Sequence, residues 1–499
     1  MNPPAPKPDF QSLYAQGLQC CESGLWSEAV HHFCAAIELQ PQSYPCYHHM
    51  GLAMCQMGQF QAGIECFSQA IAIHPDNALP WLNRGNAHKE LKQLDAACSD
   101  YLQAIALQAD YAMAHFNLGN VYRQQMRLQE AAACFEAVLK VQPLRVDALS
   151  NLGVTYKELH QFDAALACFD KALQIDPANA DVRWNKATAL LMAGRYPEGW
   201  PLFESRWQLD AARQAAQAKH TATLWLGQTA LQGRSLLIST EQGLGDTIQC
   251  MRYLPLLVAM GAQVTVEVQP ALERLVRQFQ GIHRVMVWGE ERPCTDFYCP
   301  FMSLPLALKT DLATIPAPQG YVQAEPALQA AWAAQLANDP LPKLGLVWAG
   351  GDLFAANQRR NIPIGHFELL GDLSLSFYSL QKGEQARAEL ASVQATGWGG
   401  PQIIDHTATL GDLADTAGLI SQLDAVVAVD TSVAHLAGAM GKPVYLLNRF
   451  DGCWRWLAQQ SRSPWYDSLY VYNQPSPGDW ESVLLAIKQD LCKLPKAGL

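Results

Sequence analysis

The 499-residue sequence predicts a helical solenoid followed by two doubly wound, parallel α/β units. Three observations predict it. Residues 9 to 210 carry a 34-residue period, and beyond Leu224 short apolar runs alternate with helix-like stretches. Two of those runs end in turns suited to ligands, Glu241 to Asp246 and Asp430 to Ser432.

The period is strict. Gly17, Gly51, Gly85, Gly119 and Gly153 stand 34 apart, with Ala187 at the next step. Gly63, Ala97, Ala131, Ala165 and Gly199 form a second small-residue column. An aromatic column runs Phe33, Phe67, Tyr101, Phe135, Phe169, Phe203, and a proline column runs Pro41, Pro75, Pro143, Pro177 with Ala109 in the gap. Small residues let two antiparallel helices approach, the aromatic fills the space between them, and the proline ends each pair. These columns resemble the tetratricopeptide repeat. They mark six units, at 9–40, 43–74, 77–108, 111–142, 145–176 and 179–210, giving a solenoid domain over 9–210.

Two residues before the glycine column stand His49, Asn83, Asn117, Asn151 and Asn185. In tetratricopeptide superhelices this position looks onto the concave surface. An asparagine there offers a donor and an acceptor to an extended peptide backbone. The arrangement is similar to the asparagine ladder of the O-linked N-acetylglucosamine transferases, which implies a protein or peptide partner in the groove. The alternative is that the repeat pattern itself supplies these asparagines, with local hydrogen bonds to neighbouring turns. Tyr47, His48 and His115 read as packing or groove-lining residues rather than metal ligands.

Trp184, Trp200 and Trp207 are heavy for a repeat end and read as a cap docking the solenoid on the C-terminal half of the chain. Residues 210 to 223, rich in alanine and glutamine, read as a solvated helix or linker. Then come strand-like runs at 235–240, 264–268, 285–287 and 297–299, with helices at 247–260 and 271–278. A second set has strands at 343–348, 377–380, 403–404, 426–429 and 444–447, with helices at about 366–371, 384–396, 412–421 and 432–440. Continuous apolar strands mean parallel sheets covered on both faces. Two Rossmann-like domains over 224–325 and 343–490, joined near 326–342, would face a cleft.

The two turns carry the chemistry. Asp430 and Thr431 stop a strand, and Ser432 to Met440 is a helix dense in small residues whose N-terminus offers free N–H groups to an anion. Equally, Asp430 or Thr431 could simply cap that helix. In the other turn Gly243 and Gly245 allow a sharp bend, and Asp246 is either a first-turn charge complementing the helix dipole or a general base. The third glycine of a dinucleotide fingerprint is missing, which argues against NAD.

The ordered motifs EQGLGD, LVWAG, SLQKG, VDTSVAHLAGA, WRWL and SPWY resemble the heptosyltransferase-like (family 9) glycosyltransferases, over about residues 224 to 490. The resemblance is closest to the bacterial branch in which tetratricopeptide repeats precede this domain. It implies a GT-B fold and metal-free, inverting transfer of a sugar from a nucleotide-sugar donor to an acceptor hydroxyl, without a cofactor. It implies Asp246 as the base, with Gly243 and Gly245 close to acceptor or donor. It implies Asp430, Thr431, Ser432 and His435 at the donor, with Lys382 and Arg359 or Arg360 as phosphate partners. His435 could equally be a helix histidine packing on the strand, and Lys382 a surface lysine. The sequence departs from that branch at Gln358 and Asn361, where an acidic residue and a serine are expected, and the Thr-Ser-Val turn leaves the donor sugar open. Two rivals remain: a tetratricopeptide scaffold carrying a catalytically silent domain, and a transferase for a polysaccharide or lipid-linked acceptor.

Composition excludes other classes. A net charge of −11 and a pI near 5.6 argue against nucleic acid or an anionic membrane as the main partner. The first residues, MNPPAPKPDF, lack the order of a signal peptide, and no apolar run is long enough to span a membrane. Fourteen cysteines lie at irregular spacings with no CxxC pair, so a metal site is not expected. Buried free thiols in the cytoplasm account for them. A homo-oligomer is left open.

Overall fold

The computed structural model describes residues 9–209, 211–218, 220–317, 319–350 and 359–494. The chain divides into two compact units, one ending at Val182 and the other beginning at Arg183.

The first unit is a run of helix pairs: α1 (Phe10–Glu22) and α2 (Trp26–Leu39), α3 (Tyr44–Gln56) and α4 (Phe60–Ile73), α5 (Ala78–Glu90) and α6 (Leu94–Leu107), α7 (Ala112–Gln124) and α8 (Leu128–Val141), α9 (Val146–Glu158) and α10 (Phe162–Ile175). The glycine and aromatic columns meet inside each pair. A Cβ on Gly51 would lie 2.7 Å from the Phe67 ring, and one on Gly153 would lie 2.6 Å from Phe169. The buried aromatic therefore occupies the place a side chain would take. Each first helix ends on a left-handed residue at 34-residue spacing: Gly24, Gly58, Lys92, Met126, His160 and, past the unit boundary, Gly194. Glycine holds this position without strain, and three of the repeats do without it.

Helix α11 (Ala180–Met192) crosses the unit boundary. In the second unit α12 (Tyr196–Phe203), a 3-10 turn (Glu204–Gln208) and α13 (Ala211–Ala218) lead to β1 (Thr223–Leu224). The first sheet continues with β2 (Ser235–Ser239), α14 (Leu244–Cys250), α15 (Leu254–Ala259), β3 (Gln263–Val268), α16 (Glu273–Val276), β4 (Arg284–Val287), β5 (Phe297–Pro300) and α17 (Leu304–Ala307). After α18 (Pro326–Gln335) come β6 (Lys343–Val347), β7 (Ser376–Ser379), α19 (Glu384–Ala395), β8 (Ile403–Asp405), α20 (Leu413–Ser421), β9 (Ala425–Val429), α21 (Ser432–Ala439), β10 (Val444–Asn448), β11 (Leu469–Asn473) and α22 (Trp480–Leu491).

Both sheets are parallel throughout. The first runs β1-β5-β2-β3-β4 and the second β11-β10-β9-β6-β7-β8. In the second, chain order reverses between β6 and β9; in the first, it reverses between β2 and β5. Such reversal points open a crevice at the carboxyl ends of the strands. Every residue of β9 and β10 is buried, as strands covered on both faces must be.

Three expected helices are broken or wound more tightly than the sequence suggested. The stretch 247–260 is α14, a 3-10 turn (Met251–Tyr253) and α15, because Pro255 has no N–H to continue the ladder. Likewise 271–278 is a 3-10 turn from Pro270 followed by the four residues of α16, and the expected helix at 366–371 is a 3-10 helix, Ile364–Leu370. The ground between the two sheets, read as a joint, contains α18.

Candidate functional site

A cleft of about 670 Å³ lies at the carboxyl edge of the second sheet, where the chain leaves the adjacent strands β6 and β9. Gly350 lines it beyond β6, Lys382 to Glu384 beyond β7, Gly411 to Leu413 ahead of α20, and Thr431 to Val433 at the start of α21. Leu244 and Ala271, from the first sheet's side, close it.

Thr431 and Ser432 bring the N-terminus of α21 into this lining. Thr431 is the N-cap, but its hydroxyl donates to the Val429 carbonyl at 3.2 Å and makes no capping bond. The first-turn N–H groups are thus not capped by its side chain, the condition for receiving an anion. Lys382 reaches the same space and donates to the carbonyls of Leu410 (2.7 Å) and Gly411 (3.1 Å). Its ammonium is held at the lining by backbone, with a third N–H to offer.

Asp430, His435 and the two arginines lie outside that lining. The backbone carbonyl of Asp430 accepts from Arg360 Nη1 at 2.6 Å. Arg359 donates to Asp451 Oδ2 at 2.8 Å. His435 is 4% exposed and does not line the cleft. Its Nδ1 hydrogen-bonds the Tyr466 hydroxyl at 2.9 Å, and burial lowers its pKa to about 3, so the ring is neutral. Of the two readings of His435, the structure takes the packing one. Gly245 packs on the same ring: a Cβ there would lie 2.8 Å from His435 Cδ2, so this glycine lets α14 approach α21. Gln358, one of the two departures, lies outside the described residues. The other, Asn361, lines the cleft and accepts from the Gly350 N–H at 2.8 Å.

Asp246 stands three residues inside α14, whose N-cap is Gly243. One carboxylate oxygen accepts from the Gly243 N–H at 2.9 Å, and the other accepts from Arg455 Nη2. Arg455 also lies 4.4 Å over the Trp454 ring and donates to Cys453 Sγ at 2.9 Å. Burial alone would lower the Arg455 pKa, but Asp246, Cys453 and Asp430 outweigh it and keep the guanidinium charged. Five residues before Asp246, both oxygens of Glu241 accept from Arg206, at 2.8 and 2.9 Å. Arg455 and Arg206 were not singled out from the sequence. The signal that could have found them is an arginine beside tryptophan in WRWL and ESRW, since stacking and a carboxylate together let a guanidinium be buried.

In the repeats the asparagines join neighbouring units. Asn83 Nδ2 lies 2.9 Å from His48 Nε2, Asn117 donates to Asn86 at 2.8 Å, and Asn151 donates to Asn120 at 3.0 Å. The amide N–H groups are therefore used between repeats, as the local alternative has it. Among the described residues no donor reaches Oδ1 of Asn117 or Asn151. Asn185 belongs to the second unit and has partners of its own.

These features define a helical repeat unit and a parallel α/β unit with a cleft at a reversal of strand order. The N-terminal repeats are tetratricopeptide repeats: the "Tetratricopeptide repeat" family model matches residues 112–143 and 146–179, and the "TPR repeat" model matches residues 51–92 and 85–125. Protein FlbA of Caulobacter vibrioides is 30% identical over 321 residues, which cover 60% of this chain and 52% of FlbA. The chain thus spans about half the length of that relative. Among solved structures, MamA is 22% identical over 32% of this chain and 94% of its own (TM-score 0.31). YrrB, described as a TPR protein with an unusual peptide-binding site, is 23% identical over 35% and 90% (TM-score 0.32). A tetratricopeptide repeat protein from Parabacteroides merdae is 18% identical over 42% and 87% (TM-score 0.37). No described helix is long and apolar enough to cross a membrane.

Proposed function

We propose that the second unit is a GT-B glycosyltransferase, metal-independent and inverting, acting in the cytoplasm on a protein or peptide acceptor held by the repeats. The observation that carries this reading is the cleft itself, at the strand-order reversal, with the N-terminus of α21 and the Lys382 ammonium both in its lining. A nucleotide-sugar donor would lay its diphosphate against Thr431, Ser432 and Lys382. The acceptor hydroxyl oxygen attacks the anomeric carbon from the opposite face, and the bond from that carbon to the diphosphate oxygen breaks. The hydroxyl proton passes to Asp246, and the charge gathering on the diphosphate meets the helix N–H groups and the ammonium. Asparagine carbonyls along the repeats would accept from the backbone N–H groups of the acceptor chain.

A second reading has a specific observation in its favour. Both oxygens of Asp246 are engaged, one by Gly243 and one by Arg455. A carboxylate so held ties the start of α14 to Arg455, which is all that a non-catalytic scaffold would need of it. The experiment is donor hydrolysis and transfer by the purified chain against UDP-, GDP-, ADP- and CMP-sugars, beside Asp246→Asn. The asparagine variant is preferred to alanine because it leaves an oxygen for Arg455. Turnover of one donor, lost in the variant while binding persists, is the expected result. Binding without turnover favours the scaffold, and no binding of any donor removes the glycosyltransferase reading.

A further inference from the structure

The sequence assigns residues 196–208 to the close of the sixth repeat, but the structure builds them into the α/β unit. Arg206 is 1% exposed, with two carboxylates on it: Glu241 by two bonds and Glu204 at 2.6 Å. It donates as well to the Ser303 hydroxyl at 2.7 Å, just beyond β5. Glu241 follows β2, so this cluster sits where the first sheet reverses its strand order, at the root of the loop leading to α14. From the other side Gln269 Nε2 donates to the Gln242 carbonyl at 3.0 Å. Glu241 and Gln242 are therefore both pinned immediately ahead of the Gly243 N-cap and Asp246.

The same segment reaches Asp246 by a second route. Trp200 meets Trp454 edge to face at 5.3 Å, and Phe203 lies 6.0 Å from the same ring. The Trp454 ring carries Arg455, which pairs with Asp246. Trp465 donates to the Tyr196 hydroxyl at 3.0 Å, and Trp200 donates to the Thr310 carbonyl at 2.9 Å, so α12 is fixed to both sheets' loops.

We infer that Tyr196–Gln208 is a structural part of the candidate site and that Arg206 is a positioning residue, holding through Glu241 the loop that presents Asp246. The inference rests on the proposed function only for its consequence for turnover; the positioning itself is measurable without a donor. Arg206→Met alone would strand two half-buried carboxylates and could unfold the chain. The informative variant is Glu204→Gln/Arg206→Met/Glu241→Gln, which removes all three charges, beside Arg206→Lys, which keeps the charge without the planar fork. Amide hydrogen exchange of residues 241–247 in the full chain is the primary readout. The expected result is a wild-type melting curve for the triple variant with exchange of that loop at least about tenfold faster, partial recovery in Arg206→Lys, and turnover lowered with the donor KM little changed. A folded triple variant whose loop exchanges as slowly as wild type overturns the inference, and so does an Arg206→Lys chain indistinguishable from wild type if the triple variant does not fold. A wild-type chain with a protected loop and no turnover of any donor sinks the proposed function and leaves the positioning standing.

Discussion

His48 and His435 are each buried and each hydrogen-bonded to a neutral partner, Asn83 and Tyr466. Burial lowers their pKa values to about 4 and about 3, against roughly 6.5 in an unfolded chain. Between those values the unfolded state binds the extra proton, so stability is complete above about pH 6.5 and falls as the pH drops towards the folded values. Each histidine should remove about 1 kcal/mol between pH 6.5 and 5.5. Urea midpoints measured across that range should decline, and His48→Gln should flatten the decline for the repeat unit. A flat profile in the wild-type chain would show these rings protonating while folded. At this scale the sequence was partly legible. The turn residues Thr431 and Lys382 could be placed at the carboxyl ends of strands, where the cleft lies, because each follows closely on an apolar run. That Gly245 packs on His435 could not be read, because the two lie about 190 residues apart in the chain.

The bounds of the first five helix pairs were readable almost to the residue, since each pair packs on its immediate neighbour and the pattern restates the contact every 34 positions. The left-handed column gives a prediction that belongs to this level. Lys92 sits at φ 60° in the position that Gly24 and Gly58 hold in other repeats. Lys92→Gly should raise stability by about 0.5–1 kcal/mol, because the relieved backbone strain exceeds the extra unfolded-state entropy. Chemical denaturation of the full chain checks it, and a loss of stability would mean the lysine side chain holds that turn. In the α/β unit the elements were less legible. The two-residue β1 is too short for any pattern, and Pro255 and Pro270 break stretches whose apolar spacing still reads as continuous helix. The strands β6 and β9 were found because they are wholly buried and therefore continuously apolar, but that they lie side by side is topology, which a pattern along the chain does not encode.

For the molecule as a whole, the useful boundary is not where the repeat pattern ends. A chain beginning at Leu224 would lack Tyr196, Trp200 and Arg206. It would uncover Trp454 and Trp465 and leave Glu241 buried without its cation. Such a chain should lose the near-ultraviolet dichroism of packed tryptophan and melt without cooperativity, whereas one beginning near residue 178 should keep both. Equal behaviour of the two chains would mean the α/β unit is indifferent to α12.

The tryptophan cluster also sets an order of events at the ribosome. Trp200 leaves the exit tunnel long before Trp465, its ring neighbour, has been translated, roughly 265 residues later and so about 13–50 s at ordinary elongation rates. During that interval the repeats preceding it can fold on local contacts, but α12 has only α11 to pack against, through Gly199 on Leu191 and Phe203 on Trp184, and the Trp200 face stays uncovered. The nascent chain therefore passes through a stage in which a finished solenoid ends in an adhesive tip, a natural target for a chaperone and a natural starting point for aggregation when synthesis stalls.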